Sequence, residues 1–351
     1  MKRVETILDT EAVDYDKNVV AKVIQKHFPD FRRVLTELQS YAASGKIDEG
    51  IFVNLKQESM DELFRLLKAK DFTTDQDVRW CPGCGDYSIL AQVQKVFAEL
   101  EMNPDEVAII SGIGCSSRFP YYMNTYGMHS IHGRAPAVAS GLKIANPDLS
   151  VWIITGDGDG LSIGGNHLMH CIRRNLDVNI VMFNNSIYGL TKGQYSPTSQ
   201  PGQHSRSSPL GSIDQALNPL TLAMGANASF IARSMDRSPA HLREMMIAAK
   251  AHHGSALLEI YQNCNVFNDG AFERFSNKQH TIDHTFHVEH GKPILIGKDQ
   301  DKTLQLVQGQ VEVIKLSPAG DLSQAWTHDI HDPIKAYALA RMAGDLRPFG
   351  I

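Results

Sequence analysis

The sequence lacks several features that would assign it to a broad class of protein. It has no run of 18 apolar residues, so we expect no transmembrane helix. Lys and Arg total 34 against 39 Asp and Glu, and the net charge of −5 argues against a nucleic-acid-binding surface. The charged N-terminus contains no apolar stretch of the kind found in secretory leaders. Five cysteines, an odd number, argue against a disulfide framework, so we expect a cytoplasmic protein with reduced thiols.

The 351 residues divide into three segments by pattern. Residues 1–76 are polar and predict a helical N-terminal extension. Apolar residues recur there at helical spacing, at Phe31, Val34, Leu35 and Leu38 and again at Leu63, Leu66 and Leu67. Residues 77–267 predict one α/β domain, and the more polar residues 268–351 predict an irregular C-terminal tail with some helix that wraps the body or a partner.

Short apolar runs in the central segment are rich in Val and Ile and do not alternate with polar residues, which is typical of strands buried on both faces. The runs are VAIIS (107–111), VWIIT (151–155), VNIVMFN (178–184), SFIARS (229–234) and ALLEIYQ (256–262). Helices are expected at 86–100, 133–146, 164–174, 214–225 and 238–252. This alternation predicts an α/β fold with an open, mostly parallel sheet and helices on both faces.

A loop rich in glycine and aspartate, GDGDG, follows the second of these runs. The dinucleotide pattern G-x-G-x-x-G fails, because Leu161 and Ile163 occupy the third glycine position in the two possible frames. Asp157 in the loop and Asn185 after the next run would meet at one edge of a parallel sheet. Such oxygen ligands suit Mg²⁺ beside a diphosphate, but Asp and Asn are also ordinary turn residues, and the residues alone leave both interpretations open.

Four cysteines are expected at the same edge of the sheet. Cys81 and Cys84 form a C-x-x-C pair, and Cys115 and Cys264 each follow a predicted strand. Open α/β sheets bind ligands at the carboxyl ends of their strands. One close pair and two distant thiols favour a [4Fe–4S] cluster, while Zn²⁺ and ordinary buried cysteines remain as alternatives. Cys171, within a predicted helix, is expected to serve in packing.

The spacing from GDG (156–158) to NN (184–185) resembles the thiamine diphosphate motif. Taken with CPGCG, GIGCSSR, HGRAPAVASGLK, NNSIYGLTKGQ and a late cysteine, it resembles the β subunits of the 2-oxoacid:ferredoxin oxidoreductases. Within that family the sequence is most similar to the 2-oxoglutarate branch, over roughly residues 78–300. The resemblance does not explain the N-terminal extension.

The resemblance implies a thiamine diphosphate-binding fold that holds thiamine diphosphate, Mg²⁺ and one [4Fe–4S] cluster. The implied Mg²⁺ ligands are the side chains of Asp157 and Asn185 and the backbone carbonyl of Ile187. The implied cluster ligands are Cys81, Cys84, Cys115 and Cys264. The other residues expected to contact the organic cofactor are Gly83, Ile113, Gly114, Ser116, Gly156, Gly158, Asp159, Gly160, Gly189, Leu190 and Thr191.

The implied activity is coenzyme A-dependent oxidative decarboxylation of 2-oxoglutarate, or the reverse carboxylation, with a ferredoxin as electron partner. Pyruvate or another 2-oxoacid is the alternative substrate. The carboxylate that activates thiamine is implied to come from an α subunit, in a heterodimer or an α2β2 assembly. We therefore expect the chain alone to be inactive.

Three further residues are catalytic candidates. Arg118 could form two hydrogen bonds with a substrate carboxylate. His132 and Arg134 open a predicted helix and could meet the substrate or the diphosphate. Each is equally compatible with a surface, interface or structural role. Residues 191–194 are expected to close over the diphosphate.

Two other functions remain open at this stage. A non-redox thiamine diphosphate decarboxylase or lyase would keep the Mg²⁺ motif and need no cluster. A non-catalytic metal-binding subunit that relays electrons would keep the cysteines and need no thiamine diphosphate. Iron binding separates the first from the expected enzyme, and thiamine diphosphate binding separates the second.

Overall fold

In this computed structural model, the described residues are 2–27, 34–35, 38–39, 42, 46–47, 67–277, 279–317 and 321–351. The chain forms two compact units, Met1–Leu66 and Leu67–Ile351. The predicted helical positions Phe31, Leu63 and Leu66 lie outside the described residues. No helix in the described ranges is both long and apolar enough to cross a bilayer.

The first unit has an apolar core of its own. Its described elements are α1 (Lys2–Thr10), β1 (Asp14–Tyr15), α2 (Lys17–His27) and β2 (Lys46–Ile47), and the two short strands pair in parallel. The buried side chains are Val4, Leu8, Val19, Val20, Val23, Val34, Leu38 and Ile47. Apolar residues at helical spacing thus bury one face of each helix.

The second unit is built on a sheet that has eight strands among the described residues, in the order β4-β3-β5-β6-β8-β7-β12-β9. The strands of this unit are β3 (Val107–Ser111), β4 (Tyr126–His129), β5 (Ser150–Gly156), β6 (Val178–Asn184), β7 (Phe230–Met235), β8 (Ser255–Tyr261), β9 (Thr285–Val288), β10 (Lys302–Val307), β11 (Gln310–Lys315) and β12 (Arg347–Gly350). The central strands β3, β5, β6, β8 and β7 run parallel. All five predicted strands are therefore confirmed.

Helices cover both faces of this sheet, as the sequence predicted. They are α3 (Asp86–Glu99), α4 (Ala135–Ala145), α5 (Asp157–Leu161), α6 (Gly165–Arg174), α7 (Pro219–Gly225), α8 (Pro239–Ala251), α9 (Glu273–Ser276), α10 (Thr281–His284) and α11 (Pro333–Ala340). Alternate strand residues enter two separate cores: Ile109 and Ile154 pack with α3 and α8, whereas Ile110 and Ile153 pack with α4, α6 and α7. Cys171 is fully buried in the second core, in agreement with a packing role.

The C-terminal segment is more ordered than its sequence indicated, which corrects the expectation of an irregular tail. The β10–β11 hairpin and α11 belong to it, and Trp326 is buried in a separate apolar cluster there. Its strand β12 pairs antiparallel with β7 and parallel with β9, so the segment extends the main sheet. Strands β9 and β12 are four residues long and β12 contains Pro348, so neither carries a periodic sequence signal.

The second unit begins ahead of residue 77 because Phe72 is fully buried in its main core. The ring of Phe72 meets that of Phe97 edge to face, with centroids 5.6 Å apart. Residues just before the C-x-x-C pair therefore belong to the α/β body.

Candidate functional site

The carboxyl ends of β3, β5 and β6 surround one cavity of about 580 Å³. Most residues predicted to contact the cofactor line it, together with one cysteine and one catalytic candidate. These lining residues are Ile113, Gly114, Cys115, Ser116, His132, Gly156, Asp157, Gly158, Asp159, Asn185, Ile187, Gly189, Leu190 and Thr191. The topology thus brings distant motifs to the predicted edge of the sheet.

Asp157 is buried in this cavity wall, with 2% of its surface exposed. Its Oδ2 accepts hydrogen bonds from Ser196 Oγ at 2.5 Å and from Thr198 Oγ1 at 2.6 Å. Burial raises the pKa of Asp157, while these hydroxyls and the backbone N–H groups of Gly158 and Asn185 oppose the rise. The carboxylate therefore has several hydrogen-bond donors and no cation among the described residues.

Asn185 lies beside Asp157, as the parallel pairing of β5 and β6 requires. Its Oδ1 accepts from the backbone N–H of Ile187 at 3.2 Å, and its Nδ2 donates to Gln262 Oε1 at 2.9 Å. The three residues implied as Mg²⁺ ligands, Asp157, Asn185 and Ile187, thus line one wall of the cavity.

Asp159 joins three segments around the cavity. Its Oδ1 accepts from the backbone N–H groups of Ile113 at 2.9 Å and Gly133 at 2.7 Å, and its Oδ2 accepts from Thr155 Oγ1 at 2.7 Å. His132 Nδ1 lies 2.8 Å from Asp159 Oδ1, which fixes the orientation of the imidazole at the cavity. Asp159 is therefore a structural anchor for the candidate His132.

The segments that carry the other cysteines are in contact. Asn263 O accepts from the backbone N–H of Gly85, and Asn265 Nδ2 donates to Pro82 O at 2.6 Å, so the C-x-x-C loop packs on the segment around Cys264. A methyl group on Gly189 would lie 3.5 Å from Cys264 Sγ and 3.7 Å from Cys115 Sγ. All five cysteines of the chain are free.

Two of the four thiols, Cys84 and Cys115, have a raised pKa to which neighbouring thiols contribute. Burial, followed by Asp86 and the neighbouring Cys264 and Cys81, raises the pKa of Cys115 to about 12. The pKa of Cys84 is also raised, chiefly by burial and with contributions from Cys115 and Cys264. Because such contributions fall off with distance, Cys81, Cys84, Cys115 and Cys264 lie in one neighbourhood.

Several predicted residues lie outside the cavity lining. The guanidinium of Arg118 donates to the carbonyl of Arg79 at 3.2 Å, and that of Arg134 donates to the carbonyl of His132 at 2.9 Å. Gly83 belongs to the C-x-x-C loop, where its φ of +82° suits glycine. Gly160 is buried within α5, against Thr155.

Three residues that line the cavity were not predicted, namely Asp86, Phe183 and Tyr188, whereas Gln194 belongs to the 191–194 segment that was expected to close over the diphosphate. Asp86 begins α3, and burial raises its pKa to about 7. Tyr188 donates from its hydroxyl to Gly158 O at 2.9 Å. Tyr188 and Gln194 pair as an isolated bridge that closes the 188–194 turn beside the cavity. The quoted motifs contain Tyr188 and Gln194, and Asp86 follows CPGCG directly, so position next to a motif was the available signal.

Comparison with known proteins agrees with this geometry. Residues 112–260 match the family model for the C-terminal thiamine pyrophosphate (thiamine diphosphate)-binding domain of thiamine pyrophosphate enzymes. Residues 1–53 match a different model, the AAA+ ATPase lid domain of the sliding-clamp-loader large subunit.

Individual relatives match more than half of the chain. The chain is 51% identical to 2-oxoglutarate oxidoreductase subunit KorB of Mycobacterium tuberculosis over 278 residues, which is 79% of this chain and 74% of the relative. It is 48% identical to the β subunit of 2-oxoacid:ferredoxin oxidoreductase 1 of Aeropyrum pernix over 190 residues, 54% of this chain and 60% of the relative. A solved 2-oxoglutarate:ferredoxin oxidoreductase from Magnetococcus marinus, with 2-oxoglutarate, coenzyme A and succinyl-CoA bound, matches with a TM-score of 0.66 and 36% identity, covering 81% of this chain and 84% of that one.

Proposed function

Because the chain belongs to the β subunits of the 2-oxoacid:ferredoxin oxidoreductases, we propose that it carries thiamine diphosphate, Mg²⁺ and one [4Fe–4S] cluster in the coenzyme A-dependent oxidative decarboxylation of 2-oxoglutarate. An α subunit and a ferredoxin are its partners in this proposal. The observation that carries it is the position of Cys115, which lines the same cavity as Asp157.

The wall around Asp157 fits a magnesium diphosphate. Asp157 is buried, and no described residue supplies a neighbouring cation, so a bound divalent ion would supply the missing positive charge. Asn185 and the carbonyl of Ile187 add oxygen ligands on the same wall, in keeping with the preference of Mg²⁺ for hard ligands. These three residues would hold the ion and, through it, the diphosphate.

The thiols fit an iron–sulfur cluster better than Zn²⁺. In the part of the chain that the structure describes, no three Cys, His, Asp or Glu side chains lie close enough to share a single ion. Neighbouring thiols nevertheless contribute to the raised pKa of Cys84 and of Cys115, and the sulfurs of Cys115 and Cys264 both lie beside Gly189. A [4Fe–4S] cluster takes its four cysteine ligands on different iron atoms, so it does not need thiols that converge on one point.

Thiamine diphosphate, when bound, supplies the chemistry that decarboxylates a 2-oxoacid and releases electrons. The chain's own residues position it: Asp157 and Asn185 hold the metal end, and Asp159 fixes His132 at the cavity, where its ring can donate or accept a proton. Cys115 would hold the cluster next to this space and so keep short the distance between the two cofactors.

The substrate proposal rests on the named relatives, because Arg118 does not line the cavity. Arg118 Nη1 donates to Arg79 O, and we propose that the arginine supports the C-x-x-C segment. Asp86, Asp157 and Asp159 are the carboxylates that line the cavity among the described residues, and each lies on an element of the metal or thiol side. As the family resemblance implies, we propose that the carboxylate that activates thiamine comes from the α subunit.

Anaerobic purification of the full chain with its α subunit tests the proposal. We expect about four iron, no zinc and one thiamine diphosphate per chain, and 2-oxoglutarate-dependent ferredoxin reduction that the chain alone does not show. Asp157→Ala should lose thiamine diphosphate and keep the iron, whereas Cys264→Ser should do the reverse. Bound zinc in place of iron, or turnover by the chain without its partner, would contradict the proposal.

A further inference from the structure

Two hydroxyl groups hold one oxygen of the predicted metal ligand. Ser196 Oγ and Thr198 Oγ1 both donate to Oδ2 of Asp157, at 2.5 and 2.6 Å. Both hydroxyls are buried, with 2% and 4% of their residues' surface exposed, so water does not compete for them. Oδ2 is thus engaged by the protein before any cation arrives.

The turn that carries these hydroxyls is fixed to the wall of the cavity. The backbone N–H of Ser196 donates to Ser199 Oγ at 2.8 Å, and Ser199 Oγ donates to Ser186 O at 2.7 Å. Ser186 lies between the two predicted ligands Asn185 and Ile187. The hydroxyls therefore keep their position relative to the ligand wall.

A buried ion pair supports the turn from behind. Thr198 Oγ1 also lies 2.9 Å from Asn184 Oδ1, and Asn184 Nδ2 donates to Glu259 Oε1 at 2.7 Å. The second oxygen of Glu259 accepts from Arg233 Nε at 2.7 Å, with both side chains nearly fully buried. Breaking the Arg233–Glu259 pair would leave an unpaired buried charge, so the pair holds Asn184, and through it Thr198, in position.

We infer that Ser196 and Thr198 are positioning residues that leave only one oxygen of Asp157 for the metal and thereby favour Mg²⁺ over Ca²⁺. This inference rests on the proposed function. Mg²⁺ requires near-ideal octahedral geometry, whereas Ca²⁺ accepts more ligands and often takes both oxygens of a carboxylate. A carboxylate whose second oxygen is occupied by hydroxyl groups suits the smaller ion.

The test compares Mg²⁺ with Ca²⁺ in the full chain bound to its α subunit, after the cofactor and metal have been removed. Dissociation constants for each ion are measured by calorimetry at saturating thiamine diphosphate, without reference to turnover. The variants are Ser196→Ala, Thr198→Val and the double variant. Thr198→Ser keeps the hydroxyl and serves as the rescue, and Ser205→Ala, a half-buried serine later in the same loop, serves as the matched control.

In the double variant we expect Mg²⁺ to bind about 10–100-fold more weakly, the usual cost of losing a group that orients a metal ligand. Ca²⁺ should lose less, so that the preference for Mg²⁺ falls by about tenfold or more. Thr198→Ser and Ser205→Ala should keep the wild-type preference. Either single variant provides the same measurement if the double variant fails to fold, as judged by circular dichroism.

Equal weakening of both ions would show that the hydroxyls only stabilise the loop, and unchanged binding would show that they do not matter. Either result would overturn this inference and leave the proposed function intact. A wild-type complex that binds neither ion with thiamine diphosphate would instead overturn the proposed function, and the inference with it.

Discussion

The cavity has an oxygen-ligand half around Asp157 and a thiol half around Cys115, and the two halves differ in how they affect the ionisation of their acidic groups. Burial raises the pKa of Asp157 and of Cys115 alike. Around Asp157, hydroxyl and backbone donors oppose this effect and stabilise the carboxylate. Around Cys115, the carboxylate Asp86 and two other thiols add to it, and the pKa reaches about 12.

The difference shows what each half still requires. The oxygen-ligand half is hydrogen-bonded into place by the chain itself and needs only a cation. The thiol half favours neutral sulfur until positively charged iron offsets the repulsion between the thiolates, since a coordinating thiol must lose its proton. We therefore expect the first half to form without the second.

The largest effect is expected from Cys115→Ser. Loss of this ligand should remove the cluster, because the remaining thiols cannot complete the set of four. Iron should fall from about four per chain to near zero, and ferredoxin reduction should be lost. Thiamine diphosphate binding, measured by calorimetry, should persist because Asp157 and its hydroxyl donors are untouched. Joint loss of iron and cofactor binding would show that the halves depend on each other.

A smaller effect is expected from Asp159→Asn in the oxygen-ligand half. The amide cannot accept all the hydrogen bonds that Asp159 receives, which include those from Ile113, Gly133 and Thr155. We expect a loss of about 1–3 kcal/mol in stability and about a tenfold fall in kcat/KM for 2-oxoglutarate. Thermal unfolding and steady-state kinetics measure the two, with iron content as the control that should not change. An unaltered kcat/KM would remove His132 from the proposed chemistry.

The smallest effect concerns the pH dependence of thiol alkylation in the cluster-free chain. The pKa of Cys115 is raised to about 12, so its thiolate fraction should still increase about tenfold per unit between pH 8 and 10. An unperturbed thiol, with a pKa of about 8.5, levels off in this range, as the same cysteine should in the denatured chain. Mass spectrometry of the Cys115 peptide after iodoacetamide treatment measures the rate. An alkylation rate that levels off near pH 9 would show that the pKa of Cys115 is not raised, which would contradict the difference between the two halves.

The same shift has a consequence for stability. Because the folded pKa lies above the unfolded value, Cys115 contributes stability that is fully present below about pH 9. That contribution is lost as the pH rises toward 12. In an alkaline titration followed by circular dichroism, the cluster-free chain should therefore begin to unfold at a lower pH than the Cys115→Ala variant.

The central fold was predictable because its strands are buried on both faces. Runs such as VAIIS and VNIVMFN predict a buried strand from their own residues, without knowledge of the strands they pair with. The glycine-rich loop after β5 marked the position of the cavity. The short strands β9 and β12 depend on pairing with each other and with β7, which no local pattern encodes. Pairing of this kind is decided by the tertiary structure.

The residues of the site likewise divide into those that a local motif predicts and those that only the tertiary structure brings in. Asp157 and the four cysteines sit in motifs whose spacing is visible in the sequence. Ser196 and Thr198 do not, since their contact with Asp157 depends on a loop that returns across 39 and 41 residues. Arg118 was a reasonable candidate beside Cys115, but its guanidinium is held by the carbonyl of Arg79.

Cys115 belongs both to the cavity wall and to the group of thiols. Among the described residues, Cys115 lines the space proposed for the organic cofactor directly. We therefore expect a small oxidant that diffuses into this space to reach Cys115. The organic cofactor and the iron would therefore share one route of exposure to air, and protecting one of them at the cavity entrance would protect the other.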